Sequence, residues 1–238
     1  MKLDILAIGA HPDDVELFAG GTLIRHLQKG LKCGIIDLTK GELGTRGNGD
    51  LRLKEATKAA EILGVTVREN LGFEDGFFAN DKEHQLAIVS AIRFYQPDII
   101  LTNAGTDRHP DHGKASLLVS TATFLAGLPK VDTIRDGKSQ QAWKVNVVYH
   151  GIQDRYIKPD FVLDITDVWE QKMKAVFAFS SQFYNPDSTE PETPISSKKF
   201  LEFLKARAME FGRPAGINLA EGFTVERTPA IQDFSSLL

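Results

Sequence analysis

The sequence predicts one α/β domain in which a mostly parallel β-sheet carries helices on both faces. Short apolar segments alternate with amphipathic segments over residues 3–102, and this alternation is typical of right-handed βαβ units. The apolar segments are nearly continuous, as expected for strands that are buried on both faces. A length of 238 residues, with 25% charged and 42% hydrophobic residues, suits a single globular domain over 1–238 and argues against a disordered or fibrous chain.

The first 128 residues hold the regular part of this pattern and form the predicted core (1–128). Strands are predicted over residues 3–9, 33–38, 67–71 and 98–102. Between them, apolar side chains recur at steps of three and four, which predicts helices. The first of these helices starts near Leu17 and ends before Gly30. The second runs from Leu53 to Leu63, and the third runs from Asp81 to Tyr95.

Residues 129–238 are expected to elaborate this core rather than to form a second domain. Two strands are predicted over 145–149 and 161–165, and two helices over 166–179 and 196–211. The segment 184–196 is rich in Pro, Ser, Thr and Glu and is longer than most connections. It is expected to be either a mobile lid or a disordered loop.

The composition limits the partners and the kinds of site. The net charge of −4, from 28 basic and 32 acidic residues, argues against broad binding to nucleic acid or to an anionic membrane surface. No segment approaches the ~20 apolar residues of a membrane span. The N-terminal apolar segment is too short for a signal peptide, so a cytoplasmic location is expected. The single cysteine, Cys33, excludes an internal disulfide and a cysteine-based zinc cluster, so any metal must be bound by histidine and carboxylate side chains.

Two similar motifs follow the first and the fourth predicted strands. Residues 11–14 read His-Pro-Asp-Asp, and residues 109–112 read His-Pro-Asp-His. In a doubly wound sheet these two strands are usually neighbours, and ligands bind beyond the carboxyl ends of the strands. The two motifs are therefore expected to face each other across one site.

The spacing within these motifs predicts a metal centre. The proline of each motif is expected to open a helix, where residues three apart lie on one face. His11 then converges with Asp14. In the second motif, His109 converges with His112. Asp13 points away from them and is free to approach the attacking water rather than the metal.

The number of candidate ligands exceeds the number that a catalytic metal needs. A catalytic zinc usually takes three protein ligands and leaves one position for water. Two histidines with one carboxylate also suit non-haem Fe(II). The spacing therefore leaves open which of the four candidates stays off the metal.

A glycine-rich segment, residues 41–49, follows the second predicted strand. It lacks the Gly-Lys-Ser/Thr of a phosphate-binding loop. We expect it to form a wall of the same cleft or, alternatively, a flexible connection. Arg46 and Arg52 would be available there for an anionic group of the substrate, and Arg108 and Arg155 are further basic candidates.

These motifs together resemble the LmbE/PIG-L family of zinc-dependent deacetylases. Further similarity lies in Glu16, in Gly20 to Thr22, in residues 39–47 (TKGELGTRG) and in residues 218–223 (NLAEGF), which resemble the branch that acts in bacillithiol biosynthesis. The similarity covers nearly the whole chain in the expected order. Its specificity comes mainly from the two histidine motifs taken together.

The resemblance implies a Rossmann-like three-layer α/β/α fold with a mostly parallel sheet. It also implies that the protein removes the N-acetyl group from N-acetylglucosaminyl compounds, a class of small amino-sugar substrates. In the bacillithiol branch the substrate is N-acetylglucosaminyl malate. Family members commonly form trimers or hexamers, so a homo-oligomer is expected.

The resemblance further implies a role for each motif position. The implied cofactor is Zn²⁺, although the ligand set also suits Fe²⁺, and the implied metal ligands are His11, Asp14 and His112. Asp13 is implied to be the general base. His109 would stabilise the oxyanion in its protonated form, with Asp111 oriented towards it to raise its pKa. Arg52 is implied to contact the substrate.

Four other functions remain open from the sequence. The protein could deacetylate another N-acetylated amino sugar, including chitin fragments, or cleave the amide of a thiol conjugate. A non-haem Fe(II) enzyme would use the same ligand set but has no need of Asp13. A protein that binds a sugar or metal without turnover would have no need of a base, yet Asp13 is present.

Overall fold

The computed structural model describes residues 1–231 and 233 and has the predicted three-layer α/β/α fold. Its strands are β1 (Ile5–Gly9), β2 (Cys33–Thr39), β3 (Val67–Phe73), β4 (Ile99–Asn103), β5 (Ile134–Arg135), β6 (Lys138–Ser139), β7 (Val147–Gly151), β8 (Phe161–Asp164) and β9 (Ala220–Val225). Its α-helices are α1 (Asp14–Gln28), α2 (Gly49–Leu63), α3 (Lys82–Tyr95), α4 (Pro110–Ala126), α5 (Trp169–Phe177) and α6 (Lys198–Gly212).

Seven strands form one sheet in the order β3-β2-β1-β4-β7-β9-β8. The five strands from β3 to β7 in this order are parallel, and β9 runs antiparallel to both of its neighbours. β1 and β4 are direct neighbours, with Ile5 opposite Ile99, as the doubly wound order predicts. Strands from the C-terminal part of the chain therefore extend the same sheet that the first four strands begin.

Helices pack on both faces of this sheet and bury two hydrophobic cores. Ile5 and Ala7 of β1 join the core beneath α1, α2, α5 and α6. Leu6 and Ile8 point the other way, into the core beneath α3 and α4, because successive residues of a strand face opposite sides. Within residues 1–231, no helix is long and apolar enough to cross a membrane.

The C-terminal part departs most from the predicted elements. The predicted helix over 166–179 begins as a short 3-10 helix, Thr166–Val168, and continues as α5. The segment 184–196 contains neither helix nor strand. The sequence pattern does not predict β9, because its buried residue Glu221 interrupts the apolar run that marks a strand.

The Glu221 side chain connects residues 218–223 to the segment from Gly20 to Thr22 inside the protein. It accepts hydrogen bonds from Gly21 N (2.9 Å), Thr22 N (2.7 Å) and Thr22 Oγ1 (2.6 Å), and it pairs with Lys172 Nζ at 2.6 Å. A Cβ on Gly21 would lie 2.5 Å from the Ile165 side chain, so glycine is required for this close packing. These contacts fix α1, whose first turn carries the candidate site.

Candidate metal centre and substrate cleft

The two histidine motifs meet where β1 and β4 end, as the strand order predicts. The centroid of the His11 ring lies 4.7 Å from that of His109 and 5.8 Å from that of His112. One nitrogen of each of the three rings lies within 4.8 Å of the other two. Asn103 at the end of β4 accepts a hydrogen bond from the Ala10 N–H at 2.9 Å, which fixes the two strand ends side by side.

Asp14 lies between two of these histidines. Its Oδ2 is 3.4 Å from His11 Nδ1, and its Oδ1 is 3.0 Å from His112 Nε2. Gln153 Nε2 donates a hydrogen bond to the same Oδ1 at 2.9 Å. Two imidazole nitrogens and one carboxylate therefore converge, all of them on buried side chains.

The first turn of α1 differs from the prediction. Pro110 opens α4 as expected, but α1 begins at Asp14 and not at Pro12. Asp13 has φ +116°, a left-handed conformation that costs on the order of 1–3 kcal/mol for a residue other than glycine and that keeps Pro12 out of the helix. His11 and Asp14 are instead brought together by a tight turn, in which His11 N donates to Asp14 Oδ2 at 2.9 Å.

Asp13 is held in this conformation by Arg52. Arg52 Nη2 donates to Asp13 Oδ2 (2.9 Å) and to the Pro12 carbonyl (2.6 Å), and Nη1 donates to the Gly41 carbonyl (3.2 Å). A Cβ on Gly41 would lie 1.9 Å from Arg52 Nη1, so glycine is needed there. Burial raises the pKa of Asp13 to about 7, although the charge of Arg52 acts in the opposite direction.

Two carboxylates that the sequence reasoning missed face the outer nitrogens of the histidines beside Asp14. Asp75 Oδ1 lies 3.0 Å from His11 Nε2, and Asp107 Oδ2 lies 2.7 Å from His112 Nδ1. Asp107 precedes the second motif by two residues, and this closeness in the sequence could have indicated a contact with His112. Asp75 follows β3 in a part of the chain where no motif marks it.

His109 differs from the predicted protonated histidine. It is the N-cap of α4, and its Nδ1 accepts a hydrogen bond from the Asp111 N–H at 3.3 Å. Burial lowers the pKa of His109, and the positive charges of His11 and His112 lower it further. The lowered pKa favours the neutral imidazole, and the Asp111 N–H on Nδ1 favours the tautomer whose proton is on Nε2.

The Asp111 carboxylate does not take the predicted orientation towards His109. It lies 3.5 Å from His11 Nε2 and 2.9 Å from Lys114 Nζ, and it accepts a hydrogen bond from Gly76 N at 2.9 Å. The hydrogen bonds to His11 and Lys114 lower the pKa of Asp111 despite its burial. Only the backbone N–H of Asp111 contacts His109, because the first turn of α4 directs the carboxylate to the other side.

A cavity of about 390 Å³ opens beside these residues. The residues of its polar wall include His11, Asp13, Asp14, His109, His112, Arg52, Asp75, Arg108, Gln153, Asp154 and Gln182. Its apolar wall contains Leu17, Leu43, Pro194, Ile195 and Phe200. Arg108 is half-exposed at the rim, where its Nε lies 3.0 Å from Asp154 Oδ2. The glycine-rich segment therefore contributes a wall, through Leu43, Gly44 and Thr45.

Arg46 and Arg155 do not line this cavity. Arg46 Nη2 donates to Ser188 Oγ, and Arg46 Nε lies 3.7 Å from Glu190 Oε2. The predicted substrate contact of Arg46 is therefore replaced by a contact with the segment 184–196, which packs on the glycine-rich segment and supplies part of the apolar wall. Arg155 is exposed, and its backbone N–H rather than its side chain contacts the site.

The donor set fits a divalent cation. Burial would lower the pKa values of His11 and His112, but neighbouring carboxylates outweigh it. The carboxylates around His11, of which Asp111 has the largest effect, raise the pKa of His11 well above its usual value. The carboxylates around His112, of which Asp14 has the largest effect, raise the pKa of His112 to about 9. A metal ion would supply the positive charge that this arrangement stabilises. Two imidazoles and one carboxylate suit Zn²⁺ and Fe²⁺.

Three relatives cover most of the chain. A diacetylchitobiose deacetylase from Thermococcus kodakarensis is 32% identical over 232 residues, which cover 92% of this chain and 81% of that protein. A 4-oxalmesaconate hydratase from Pseudomonas putida is 28% identical and covers 74% of this chain and 73% of its own length. A probable N-acetyl-α-D-glucosaminyl L-malate deacetylase 2 from Bacillus anthracis is 25% identical, with 75% and 81% covered.

A solved structure and a family profile also match this chain. A conserved protein from Thermus thermophilus of known crystal structure superposes with a TM-score of 0.84 at 36% identity, and 97% of each chain is covered. The profile of the PIG-L family, described as GlcNAc-PI de-N-acetylase, matches residues 6–123, which contain both histidine motifs. The sequence identity over most of the chain, the shared fold and the profile match establish that the chain belongs to the PIG-L family of de-N-acetylases.

Proposed function

We propose that this protein is a metal-dependent deacetylase that hydrolyses the N-acetyl group of an N-acetylglucosaminyl substrate. The observation that carries the proposal is the convergence of Asp14 with one nitrogen of His11 and one of His112, beside Asp13, in a cavity of about 390 Å³. A cavity of this size suits a small ligand such as a sugar with its acetamide group. Membership of a de-N-acetylase family supports the same reaction class.

The proposed metal ligands are His11, Asp14 and His112, with His109 off the metal. Support comes from the partner of the second nitrogen in each ring. His11 and His112 each place that nitrogen against a carboxylate, as histidines that bind metals commonly do. His109 places Nδ1 against a backbone N–H, so Nε2 keeps its proton and cannot donate a lone pair to a metal. When bound, Zn²⁺ would act as a Lewis acid that polarises the acetamide carbonyl and acidifies water.

Asp13 would act as the general base. Its carboxylate lines the cavity, and Arg52 holds one of its oxygens. In this proposal Asp13 takes a proton from the attacking water while the water oxygen bonds to the carbonyl carbon. The C–N bond then breaks, Asp13 returns the proton to the leaving amine, and acetate and the free amino sugar are released.

His109 would stabilise the oxyanion as a neutral donor. Its proton lies on Nε2, and the ring lines the cavity next to His11. A fixed N–H donor aimed at the developing charge stabilises the transition state without a change in its own protonation. We therefore propose the predicted role of His109 in its neutral form.

For the substrate we propose N-acetylglucosaminyl malate, with diacetylchitobiose as the alternative. The motif resemblance to the bacillithiol branch supports malate, as does the half-exposed Arg108 at the rim, which a malate carboxylate could engage in place of Asp154. The Thermococcus relative supports the neutral disaccharide. Both substrates share the acetylated glucosamine that would lie at the metal.

The test is acetate release by the zinc-loaded enzyme from three substrates: N-acetylglucosaminyl malate, diacetylchitobiose and N-acetylglucosamine. We expect the highest kcat/KM for the malate glycoside. A preference for diacetylchitobiose would overturn the malate assignment but keep the deacetylase. If no substrate released acetate and 4-oxalmesaconate were hydrated instead, the chain would share the reaction of the Pseudomonas relative and the proposal would fail.

A further inference from the structure

We propose that Asp107 and Asp75 are positioning residues that select the tautomers of His112 and His11 needed for metal binding, and that the same carboxylates fix two walls of the cleft. The inference rests on the proposed metal centre, but it concerns residues outside the ligand set. Each carboxylate has one oxygen on a histidine and the other on the backbone N–H of a residue that lines the cavity, Arg108 for Asp107 and Leu43 for Asp75.

Asp107 connects His112 to the rim of the cleft. Its Oδ2 lies 2.7 Å from His112 Nδ1. Its Oδ1 accepts hydrogen bonds from the N–H groups of Arg108 and Arg155, both at 2.8 Å. The side chain is only 1% exposed, so water does not compete for these positions. Both oxygens are thus committed, one to the histidine and one to the backbone of the rim.

Asp75 connects His11 to the glycine-rich wall in the same manner. Its Oδ1 lies 3.0 Å from His11 Nε2, and its Oδ2 accepts a hydrogen bond from Leu43 N at 3.0 Å. Leu43 lines the cavity. Asp111 Oδ2 is a second, more distant neighbour of His11 Nε2, at 3.5 Å.

These contacts determine which nitrogen of each ring can bind a metal. An ionised carboxylate only accepts hydrogen bonds, so the nitrogen that faces it carries the proton. Asp14 faces the other nitrogen of each ring, Nε2 of His112 and Nδ1 of His11, and holds a proton there in the metal-free protein. A metal ion between Asp14 and the two rings would replace those two protons, whereas the protons that face Asp107 and Asp75 would remain. The two histidines would therefore bind the same ion through different ring nitrogens.

An asparagine at position 107 would reverse this selection. The N–H groups of Arg108 and Arg155 need an acceptor, so the amide oxygen of an asparagine must take the place of Oδ1. The amide NH₂ group then faces His112 Nδ1 and donates to it. The ring proton must move to Nε2, the atom required by the metal, and removing the acidic partner of a histidine in this way is known to trap the wrong tautomer.

The substitution of Asp107 by alanine has a different effect. It removes the partner but forces no tautomer, because a water molecule can accept the proton of Nδ1. We therefore expect Asp107→Asn to weaken zinc binding more than Asp107→Ala does. Asp75→Asn should be milder than Asp107→Asn, because the Asp111 carboxylate can still accept from His11 Nε2.

The experiment measures the Zn²⁺ affinity of the full chain by competition with a chelator. We expect Asp107→Asn to lose about 10- to 100-fold in affinity, with a smaller loss for Asp107→Ala. With zinc present, nitrogen NMR of labelled histidine should place the single His112 proton on Nδ1 in the wild type and a proton on Nε2 in Asp107→Asn. Asp164→Asn is the control, since Asp164 Oδ1 also accepts a backbone N–H, from Thr166 at 2.8 Å, but faces no histidine; its zinc affinity should equal that of the wild type.

The outcomes separate this inference from the proposed function. Asp107→Asn binding zinc as tightly as the wild type, or more tightly than Asp107→Ala, would overturn the tautomer role. A wild type that shows no specific zinc binding would overturn the proposed metal centre, and the inference with it. If the wild type binds zinc and shows the predicted order of variants but releases no acetate, the inference holds and the proposed reaction fails.

Discussion

At the scale of single residues, His109 is distinguished from its two neighbours by one hydrogen bond. Its Nδ1 accepts the Asp111 N–H as the N-cap of α4, whereas His11 Nε2 and His112 Nδ1 face the carboxylates of Asp75 and Asp107. In the proposed mechanism this one contact therefore separates a histidine that donates a hydrogen bond to the oxyanion from two histidines that would bind a metal.

His109→Asn tests this assignment. Asparagine is a good N-cap, so its side-chain oxygen should replace Nδ1 as the acceptor and preserve the start of α4. The Nε2–H donor is lost, and we expect kcat to fall by a factor of about 10² to 10³. Zinc content, measured on the same preparation, should stay at the wild-type level. Loss of zinc from this variant would make His109 a ligand and contradict the account.

At the scale of secondary-structure elements, the contact between β9 and α1 stabilises the helix whose first turn carries the candidate site. Glu221 of β9 accepts three hydrogen bonds from the middle of α1 and pairs with Lys172 of α5 at 2.6 Å. Removing one partner of a buried ion pair leaves the other charge buried and unpaired, which is strongly destabilising.

Glu221→Ala should therefore lower the free energy of unfolding by about 3–5 kcal/mol. The double variant Glu221→Ala with Lys172→Met should recover part of this loss, because no unpaired charge remains. Urea denaturation of both variants and of Lys172→Met alone measures the coupling between the two residues. Equal and additive losses would show that the ion pair does not stabilise the packing of α1.

At the scale of the whole molecule, α4 presents apolar side chains to solvent. Leu117 is 61% exposed and Phe124 is 69% exposed, and a spacing of seven residues places them on one face of the helix. We keep the prediction of a trimer or hexamer that the family resemblance implies, and we expect α4 to contribute to its interface.

Light scattering during size-exclusion chromatography measures this assembly directly. The wild type should elute with the mass of a trimer or hexamer, and Phe124→Glu should shift it to a smaller species, because a charge would be buried in the interface. Leu43→Glu, at an equally exposed position on the cleft rim, is the matched control and should keep the wild-type mass. A monomeric wild type would contradict the prediction.

The strand order is the part of the fold and site that the sequence predicts best. Near-continuous apolar strands predict a buried parallel sheet, and the usual doubly wound order of such a sheet places β1 beside β4. This order alone brings His11 and His109 to the same edge of the sheet. The exact start of α1 escapes prediction, because proline usually opens a helix and nothing in the pattern indicates the left-handed Asp13. β9 is not predicted either, because a hydropathy pattern treats Glu221 as a surface residue. The pattern cannot show that Glu221 is buried and that its charge is paired with Lys172.

The partners of the site residues are harder to predict than their positions. The glycine-rich segment gives no sign that Arg46 faces the segment 184–196 while Arg52 faces Asp13. Asp75 reaches His11 from beyond β3, 64 residues away along the chain. Such contacts depend on side-chain directions at the ends of three strands, which periodicity along one segment does not contain.

The central claim is that Asp13 activates water for hydrolysis at a metal held by its neighbours. Asp13→Asn tests it most directly, because asparagine tolerates the left-handed backbone of this position and can still contact Arg52. Acetate release should fall by a factor of about 100 or more, with zinc still bound at the wild-type stoichiometry. An Asp13→Asn variant that binds zinc and releases acetate at the wild-type rate would contradict the account.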